Sequence, residues 1–209
     1  MNHVVMFSGG IGSWMAAKRV AEEHGTENLH LLFTDTKIED EDLYRFLDEA
    51  AKNVGGTLHK IADGRDPFQV FKDVKMMGNS RIDPCSRILK REMADKWIAK
   101  NFTPDNVIVY VGIDWSEEHR YTRMAKRKLP WIYKAPMTLP PYVNKHGMFF
   151  ALQEEGIKLP KLYSMGFMHN NCSGFCIKTG QAQFRQLYLE MPERYLQLEE
   201  KEEDVYESI

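Results

Sequence analysis

Hydrophobic positions along the chain fall into short blocks whose period changes from one to the next. His3 to Phe7 is an apolar run that reads as a buried strand, and Ser8-Gly9-Gly10-Ile11-Gly12-Ser13 breaks it. From Trp14 to His24 the spacing is helical, with Ala16, Ala17, Val20 and Ala21 on one side and Gly25 as the stop. Leu29 to Phe33 is a second short strand, ending at Thr34-Asp35-Thr36. Strand, helix and strand within about 30 residues make a βαβ unit, so the sheet is expected to be parallel. Leu43, Phe46, Leu47 and Ala50 then mark a helix from Glu39 to Val54, stopped by Gly55-Gly56. Thr57 to Ala62 reads as a third strand. Pro67 opens a helix carrying Phe68, Val70, Phe71 and Val74. After a break at Gly78-Asn79-Ser80, another helix is predicted from Pro84 to about Asn101. Val107 to Ile113 is β-branched and apolar, the pattern of a central parallel strand.

Beyond that strand the pattern changes. Asp114 to Arg127 is polar and charged, and Pro130, Pro136, Pro140 and Pro141 punctuate the next stretch, so long regular elements are not expected there. Met148 to Glu155 reads as a short helix, Lys158 to Asn171 as loop and Gln181 to Tyr195 as helix. The acidic residues Glu199, Glu200, Glu202, Glu203 and Asp204 are expected to form a solvated or frayed end.

Composition narrows the class. The 209 residues suffice for one large α/β domain or a domain with a small appendage. Hydrophobic residues at 43% and charged residues at 28% describe an ordinary globular chain, and a net charge of −2 gives no global footprint for nucleic acid. No stretch approaches the roughly 20 apolar residues of a bilayer span. The first apolar segment runs into glycines, unlike a secretory leader, so a cytoplasmic location is expected. The three cysteines, Cys85, Cys172 and Cys176, are too few and too odd in number for a disulfide framework and point to a metal or to reactive thiols.

Four segments can carry chemistry. The loop Ser8–Ser13 lies between a strand and a helix, where backbone N–H groups converge on an anion. It lacks the Walker lysine and the G-x-G-x-x-G spacing, leaving S-G-G-x-x-S, the pattern of loops that hold pyrophosphate, with a structural glycine turn as the other reading. Asp35, at the end of the second strand, is placed either to meet a ribose or base edge or to cap the next helix. Cys85 lies just inside a helix start, where the dipole favours a thiolate, with Arg87, Lys90 and Arg91 following on one face; these suit a phosphate or an activated sulfur, or else a solvated basic face beside an inert buried thiol. Cys172 and Cys176 are spaced C-x3-C with His169 upstream. With Cys85 they fit tetrahedral Cys3His zinc, a three-cysteine iron–sulfur cluster with one open iron, or free thiols. Gly112 to Arg120 leaves the best strand at the ligand edge of the sheet. Asp114 suits a metal ion or a nucleotide hydroxyl, and Glu117, His119 and Arg120 suit phosphates or acid–base work. Arg120, Arg123, Lys126, Arg127 and Lys128 form a basic cluster, read either as a clamp for a phosphorylated or nucleic-acid substrate or as a solvated face.

Taken together, residues 3–185 resemble the phosphoadenylyl-sulfate (PAPS) reductase-like branch of the adenine nucleotide alpha-hydrolase, or PP-loop, superfamily, in particular its small phage-type members. The resemblance rests on Ser8-Gly-Gly-Ile-Gly-Ser13, Phe33-Thr-Asp-Thr36, Pro84-Cys-Ser-Arg-Ile-Leu-Lys90, Gly112 to Arg120, and Leu162-Tyr-Ser-Met-Gly-Phe167 before the cysteine pair. There are departures. No cysteine follows Cys176, Ser86 stands after Cys85 where cluster-bearing reductases have a second cysteine, and Gly12 stands where the usual loop has aspartate.

The resemblance implies a three-layer Rossmann-like α/β fold with a mostly parallel central sheet. Residues 1–127 would bind nucleotide and residues 128–209 would form a cysteine-containing helical appendage packed on them as one unit. The implied activity is cleavage of Mg²⁺-ATP between the α and β phosphates to adenylylate an acceptor, in sulfur transfer or in nucleotide or nucleic-acid modification. A PAPS or APS reductase-like protein and a non-catalytic nucleotide-binding module are the alternatives. Ser8, Gly9, Gly10, Ile11, Gly12, Ser13, Asp35 and Gly112 would bind the nucleotide, and Asp114, Arg120 and Lys90 would act in catalysis. Cys85, Cys172 and Cys176, with His169 for zinc, would hold a 4Fe–4S cluster or Zn²⁺. The implied partners are an adenine nucleotide and a sulfur donor or a nucleoside or nucleic-acid acceptor, with no membrane and with homodimerisation open.

Overall fold

The computed structural model describes residues 1–209. Its elements are β1 (Asn2–Met6), α1 (Ile11–His24), β2 (Leu29–Asp35), α2 (Glu41–Val54), β3 (Thr57–Ala62), α3 (Pro67–Val74), α4 (Met93–Asn101), β4 (Val107–Tyr110), α5 (Glu118–Arg127), β5 (Ile132–Lys134), α6 (Lys145–Glu154), α7 (Lys161–Ser164), α8 (Gln181–Glu190) and α9 (Pro192–Ser208). A π-helical stretch, Ser86–Glu92, precedes α4, and 3-10 turns lie at Trp115–Glu117, Pro136–Thr138 and Cys172–Gly174. The sheet has five strands in the order β3-β2-β1-β4-β5, and β1–β2, β1–β4 and β4–β5 pair in parallel. This is the Rossmann-like α/β architecture expected from the sequence. No helix is long and apolar enough to cross a membrane.

The chain forms two compact units, each assembled from three stretches: 1–33, 44–60 and 97–159 in one, 34–43, 61–96 and 160–209 in the other. The first unit holds most of the sheet. Val4, Val5, Leu31, Leu32, Val107 and Val109 are buried in its three central strands, as expected where helices cover both faces. The α1 side chain Trp14 is buried and donates its Nε1–H to Asn53 Oδ1 at 3.0 Å. Asn53 Nδ2 and Lys18 Nζ both donate to Glu155, each at 2.7 Å, tying α1 and α2 to the residue that ends α6. Strand β4 is shorter than predicted. Val111 N–H still donates to Lys134 O at 3.0 Å, and the chain then leaves the sheet at Gly112. The partner in that bond belongs to β5, which the proline-marked pattern concealed.

The second unit is built around Phe68, Phe71, Leu162, Phe167, Phe175, Leu187, Leu198 and Val205. Its α3 starts at a capping box: Asp66 accepts from Gln69 N–H at 2.9 Å, and Gln69 Oε1 accepts from Asp66 N–H at 2.8 Å. The acidic segment expected to be a solvated or frayed end is not frayed: it belongs to the 17-residue helix α9, with Glu200, Glu203 and Asp204 exposed. Leu198 and Val205, seven residues apart, lie on one stripe and are buried against this core. Lys201 pairs with Asp66 at 3.2 Å, and Lys72 pairs with Asp204, so the charges that suggested solvation anchor the helix from its flanks. The helix predicted from Pro84 is also modified, since its first half is π-helical before α4 begins. Such widened turns cluster at functional sites.

Candidate functional site

In the first unit, the order of the strands reverses between β1 and β4. Open α/β sheets bind ligands at that switch point, outside the carboxyl ends of the strands. The loop leaving β1 is Ser8–Ser13, and the loop leaving β4 starts at Gly112. Their backbones touch. A Cβ on Gly12 would lie 3.0 Å from the Gly112 carbonyl oxygen. A Cβ on Gly112 would lie 2.8 Å from both the Gly12 carbonyl carbon and the Ser13 nitrogen. Two glycines are needed because main chain meets main chain, and the second loop thereby braces the first.

Within the loop, Gly9 takes the left-handed region at φ 74°, which turns the chain from strand to helix. Helix α1 has Gly10 at its N-cap, no side-chain cap and no acidic residue in its first turn. The positive end of a 14-residue helix is therefore uncompensated by its own sequence. Ser13 Oγ donates to Gly10 O at 2.8 Å, and Ser8 Oγ donates to Ser13 Oγ at 3.3 Å, so the hydroxyls order the loop from within. Ile11 and Trp14 are buried and anchor the turn from below. This arrangement suits a phosphate.

Asp114, two residues beyond Gly112, accepts from Ser116 N–H at 2.9 Å and Ser116 Oγ at 2.6 Å. It caps the 3-10 turn Trp115–Glu117. Arg120, on exposed α5, pairs with Glu117. Both side chains belong to the segment leaving β4, with local partners.

The remaining predicted residues belong to the second unit. Asp35 accepts from Lys37 N–H at 2.8 Å and from Lys37 Nζ at 2.9 Å, in a turn where Lys37 takes φ 60°. It does not cap α2, a task performed by Asp40, whose Oδ1 accepts from Asp42 N–H at 3.0 Å. Around Lys90 the structure gathers residues distant in sequence. Glu39, with a side chain only 1% exposed, accepts from Thr36 Oγ at 2.9 Å, from Lys90 Nζ at 3.1 Å and from Cys172 N–H. Glu39 thus joins the end of β2, the π-helical segment and the cysteine loop, and pattern reading missed it. The only local signal is Thr36-Lys-Ile-Glu39, a [ST]-x-x-E sequence.

Cys85, Cys172 and Cys176 line one cavity of about 90 Å³ together with Thr36, Lys90 and Lys178. Asn171 also lines it, and its Oδ1 is buried without a protein hydrogen-bond partner, an acceptor for a donor from water or a bound molecule. Cys172 and Ser173 take φ 52° and 50°, strained values for residues with a Cβ.

The three thiols differ. Cys172 donates to Cys176, and this hydrogen bond, against the cost of burial and with help from the Lys178 N–H and the Lys90 and Lys178 charges, brings Cys176 down to about 6. Cys172 is raised by that same bond and by burial. Burial also raises Cys85, which sets it on the side of the buried, un-ionised thiol. Burial opposes the Lys90 charge, but Glu39 and the facing sulfurs prevail and raise its pKa.

His169 is exposed and is not among the residues that line the cavity. No three His, Cys, Asp or Glu side chains are placed so as to hold a metal ion. The Cys3His set expected for a single zinc ion is therefore not assembled, while the three cysteines line one cavity.

No family model matches the chain, and no curated protein matches it. Solved structures do. The crystal structure of the PAPS reductase from Candida auris, a phosphate complex, aligns with a TM-score of 0.55 at 15% identity, covering 80% of this chain and 79% of that one. The chain thus shares the fold of that reductase. A predicted tRNA methyltransferase subunit from Methanocaldococcus jannaschii aligns over 74% of this chain and 76% of its own, at 18% identity, with a TM-score of 0.41 that carries no argument.

Proposed function

We propose that the chain is an ATP-binding PP-loop enzyme that cleaves ATP between the α and β phosphates and adenylylates an acceptor, in sulfur transfer or in nucleotide or nucleic-acid modification. The observation that carries this reading is the glycine contact at the switch point, which holds an S-G-G-x-x-S loop at the start of an uncapped helix. The Candida auris reductase, a protein of the same fold, was solved as a phosphate complex, which is in keeping with an anion ligand. In the reaction, the N–H groups at the start of α1 stabilise the charge that develops on departing pyrophosphate. Arg120, paired with Glu117 in the free protein, would exchange that carboxylate for the phosphates, and Asp114 would help hold the Mg²⁺ that arrives with ATP. The Cys172 hydrogen bond, aided by the Lys178 N–H and the Lys90 charge, keeps Cys176 ionised as a sulfur nucleophile for the thiol chemistry.

A second reading, a sulfonucleotide reductase-like protein, is favoured by the shared fold and by the Cys176 thiolate. The two readings separate in one assay. Protein incubated with Mg²⁺-ATP, candidate acceptors and a sulfur or amine nucleophile, which forms its bond to the adenylylated acceptor as the bond to AMP breaks, is expected to release AMP and pyrophosphate in equal amounts. Release of sulfite from PAPS with a dithiol reductant, and no AMP from ATP, would replace the first reading with the second.

A further inference from the structure

A basic surface on the first unit remains outside the nucleotide loop. On α5, Tyr121 faces inward and donates its hydroxyl to Tyr133 O at 3.1 Å, and Lys128, just past the helix, lies over the Tyr133 ring. At about 100° per residue, Arg123, Lys126 and Arg127 fall within an arc of roughly 100° on the opposite side. All three are exposed and none pairs with a carboxylate. Such a concentration of unpaired cations is notable in a chain with a net charge of −2, where carboxylates are abundant enough to neutralise them.

Aromatic rings adjoin this helix. Trp115 belongs to the 3-10 turn that runs directly into α5, and its ring lies 5.9 Å from that of Tyr142. The two rings are 46% and 61% exposed, although residues of this size are normally withdrawn from water. Unpaired cations on a helix and an exposed aromatic pair at the turn that leads into it are the two components of a single-strand binding surface: cations track phosphates, and rings stack on unpaired bases.

We propose that the outward face of α5, with Trp115 and Tyr142, binds single-stranded nucleic acid. Phosphates lie on Arg123, Lys126 and Arg127, and a base stacks on the Trp115–Tyr142 pair. The surface stands on these observations alone. Only the step of identifying the bound strand as the acceptor of adenylylation rests on the ATP reading.

The test is fluorescence anisotropy with labelled 20-nucleotide single strands of RNA and of DNA, titrated at several salt concentrations. The intact protein is expected to bind at low salt, with an affinity that falls as salt rises. The R123Q/K126Q/R127Q variant should bind at least tenfold more weakly, with a log–log salt slope shallower by about 2, as expected for three lost contacts to a single strand. The W115A/Y142A variant should bind at least fivefold more weakly with little change in slope. A K52Q/K100Q control, which removes exposed cations from α2 and α4, should bind as the intact protein does. Circular dichroism checks the fold of each variant, and ATP binding by the three-cation variant shows that the nucleotide loop is untouched. Absence of binding by folded protein at 50 mM salt would overturn the proposal. So would binding that survives both variants, or binding to phosphatidylserine vesicles without binding to the oligonucleotides. Failure of ATP turnover with retained strand binding would remove the acceptor assignment and leave the surface.

Discussion

Replacing Gly112 with alanine tests the brace between the two loops. The added Cβ would stand 2.8 Å from the Gly12 carbonyl carbon and the Ser13 nitrogen and 2.9 Å from the Gly12 oxygen. Nonbonded carbon contacts settle at about 3.5–4.0 Å, so roughly 0.7 Å must be recovered by moving main chain. Every offending atom is backbone, and no flexible side chain can swing away. Overpacking of this kind costs about 1–3 kcal/mol. Gly112 is not at positive φ, so alanine also removes freedom from the unfolded chain and returns about 0.4–1 kcal/mol. A net loss of about 1–2 kcal/mol remains, which in a chain of this size lowers the melting temperature by about 2–8 °C. Because the movement falls on Gly12 and Ser13, ATP affinity should drop at least tenfold, beyond the effect on stability. Differential scanning calorimetry and isothermal titration with ATP measure the two effects. Gly180→Ala is the control, since a Cβ there meets nothing within 4 Å. A Gly112→Ala protein that melts and binds ATP like the parent would refute the close approach and the role assigned to it.

Three further outcomes rest on named contacts. Glu39→Gln strands the Lys90 ammonium, a quarter exposed, without its carboxylate and is expected to destabilise the fold by about 2–3 kcal/mol in urea unfolding; Lys90→Met/Glu39→Gln together should cost less than Glu39→Gln alone, and a Glu39→Gln protein with parental stability would contradict the hub. In alkylation followed by mass spectrometry, Cys176 should react before Cys85 and Cys172, with a midpoint near pH 6, and preferential labelling of Cys85 would show the thiol order to be wrong. His30 Nδ1 lies 3.1 Å from His59 Nε2, and burial, joined for His30 by its neighbour, holds both rings below their ordinary 6.5. The folded state therefore binds fewer protons than the unfolded state, so stability present above pH 6.5 is lost as pH falls. The melting temperature should fall from pH 7 to 5 more steeply in the parent than in His30→Gln/His59→Gln, and equal slopes would count against the pair.

What the residue pattern revealed and what it concealed have physical causes. Strand β1 and its loop were legible because a strand covered on both faces is apolar throughout and glycines end it abruptly. Strand β5 was not, since among its three residues only Tyr133 is buried and prolines surround it. Helix α9 was hidden by its charges: Leu198 and Val205 are its only buried side chains, set among glutamates. The Glu39 hub could not be read locally, because its partners Lys90 and Cys172 lie 51 and 133 positions away. The three cysteines, each in a polar loop or at a helix start, do share a cavity, as their setting suggested. His169 is nearest to Cys172 in sequence yet is not among the residues that line that cavity, since proximity along a loop does not fix where a side chain points.

Phosphate binding at the Ser8–Ser13 loop is open to direct observation by amide NMR of the ¹⁵N-labelled protein during titration with ATP. If the loop holds the phosphates, the largest shifts should fall on the amides of Gly9 to Ser13 and on Gly112, and pyrophosphate alone should reproduce the shifts of the loop. A folded protein whose loop amides stay unmoved at saturating ATP, or whose shifts lie only elsewhere, would contradict the assignment of this loop as the nucleotide site.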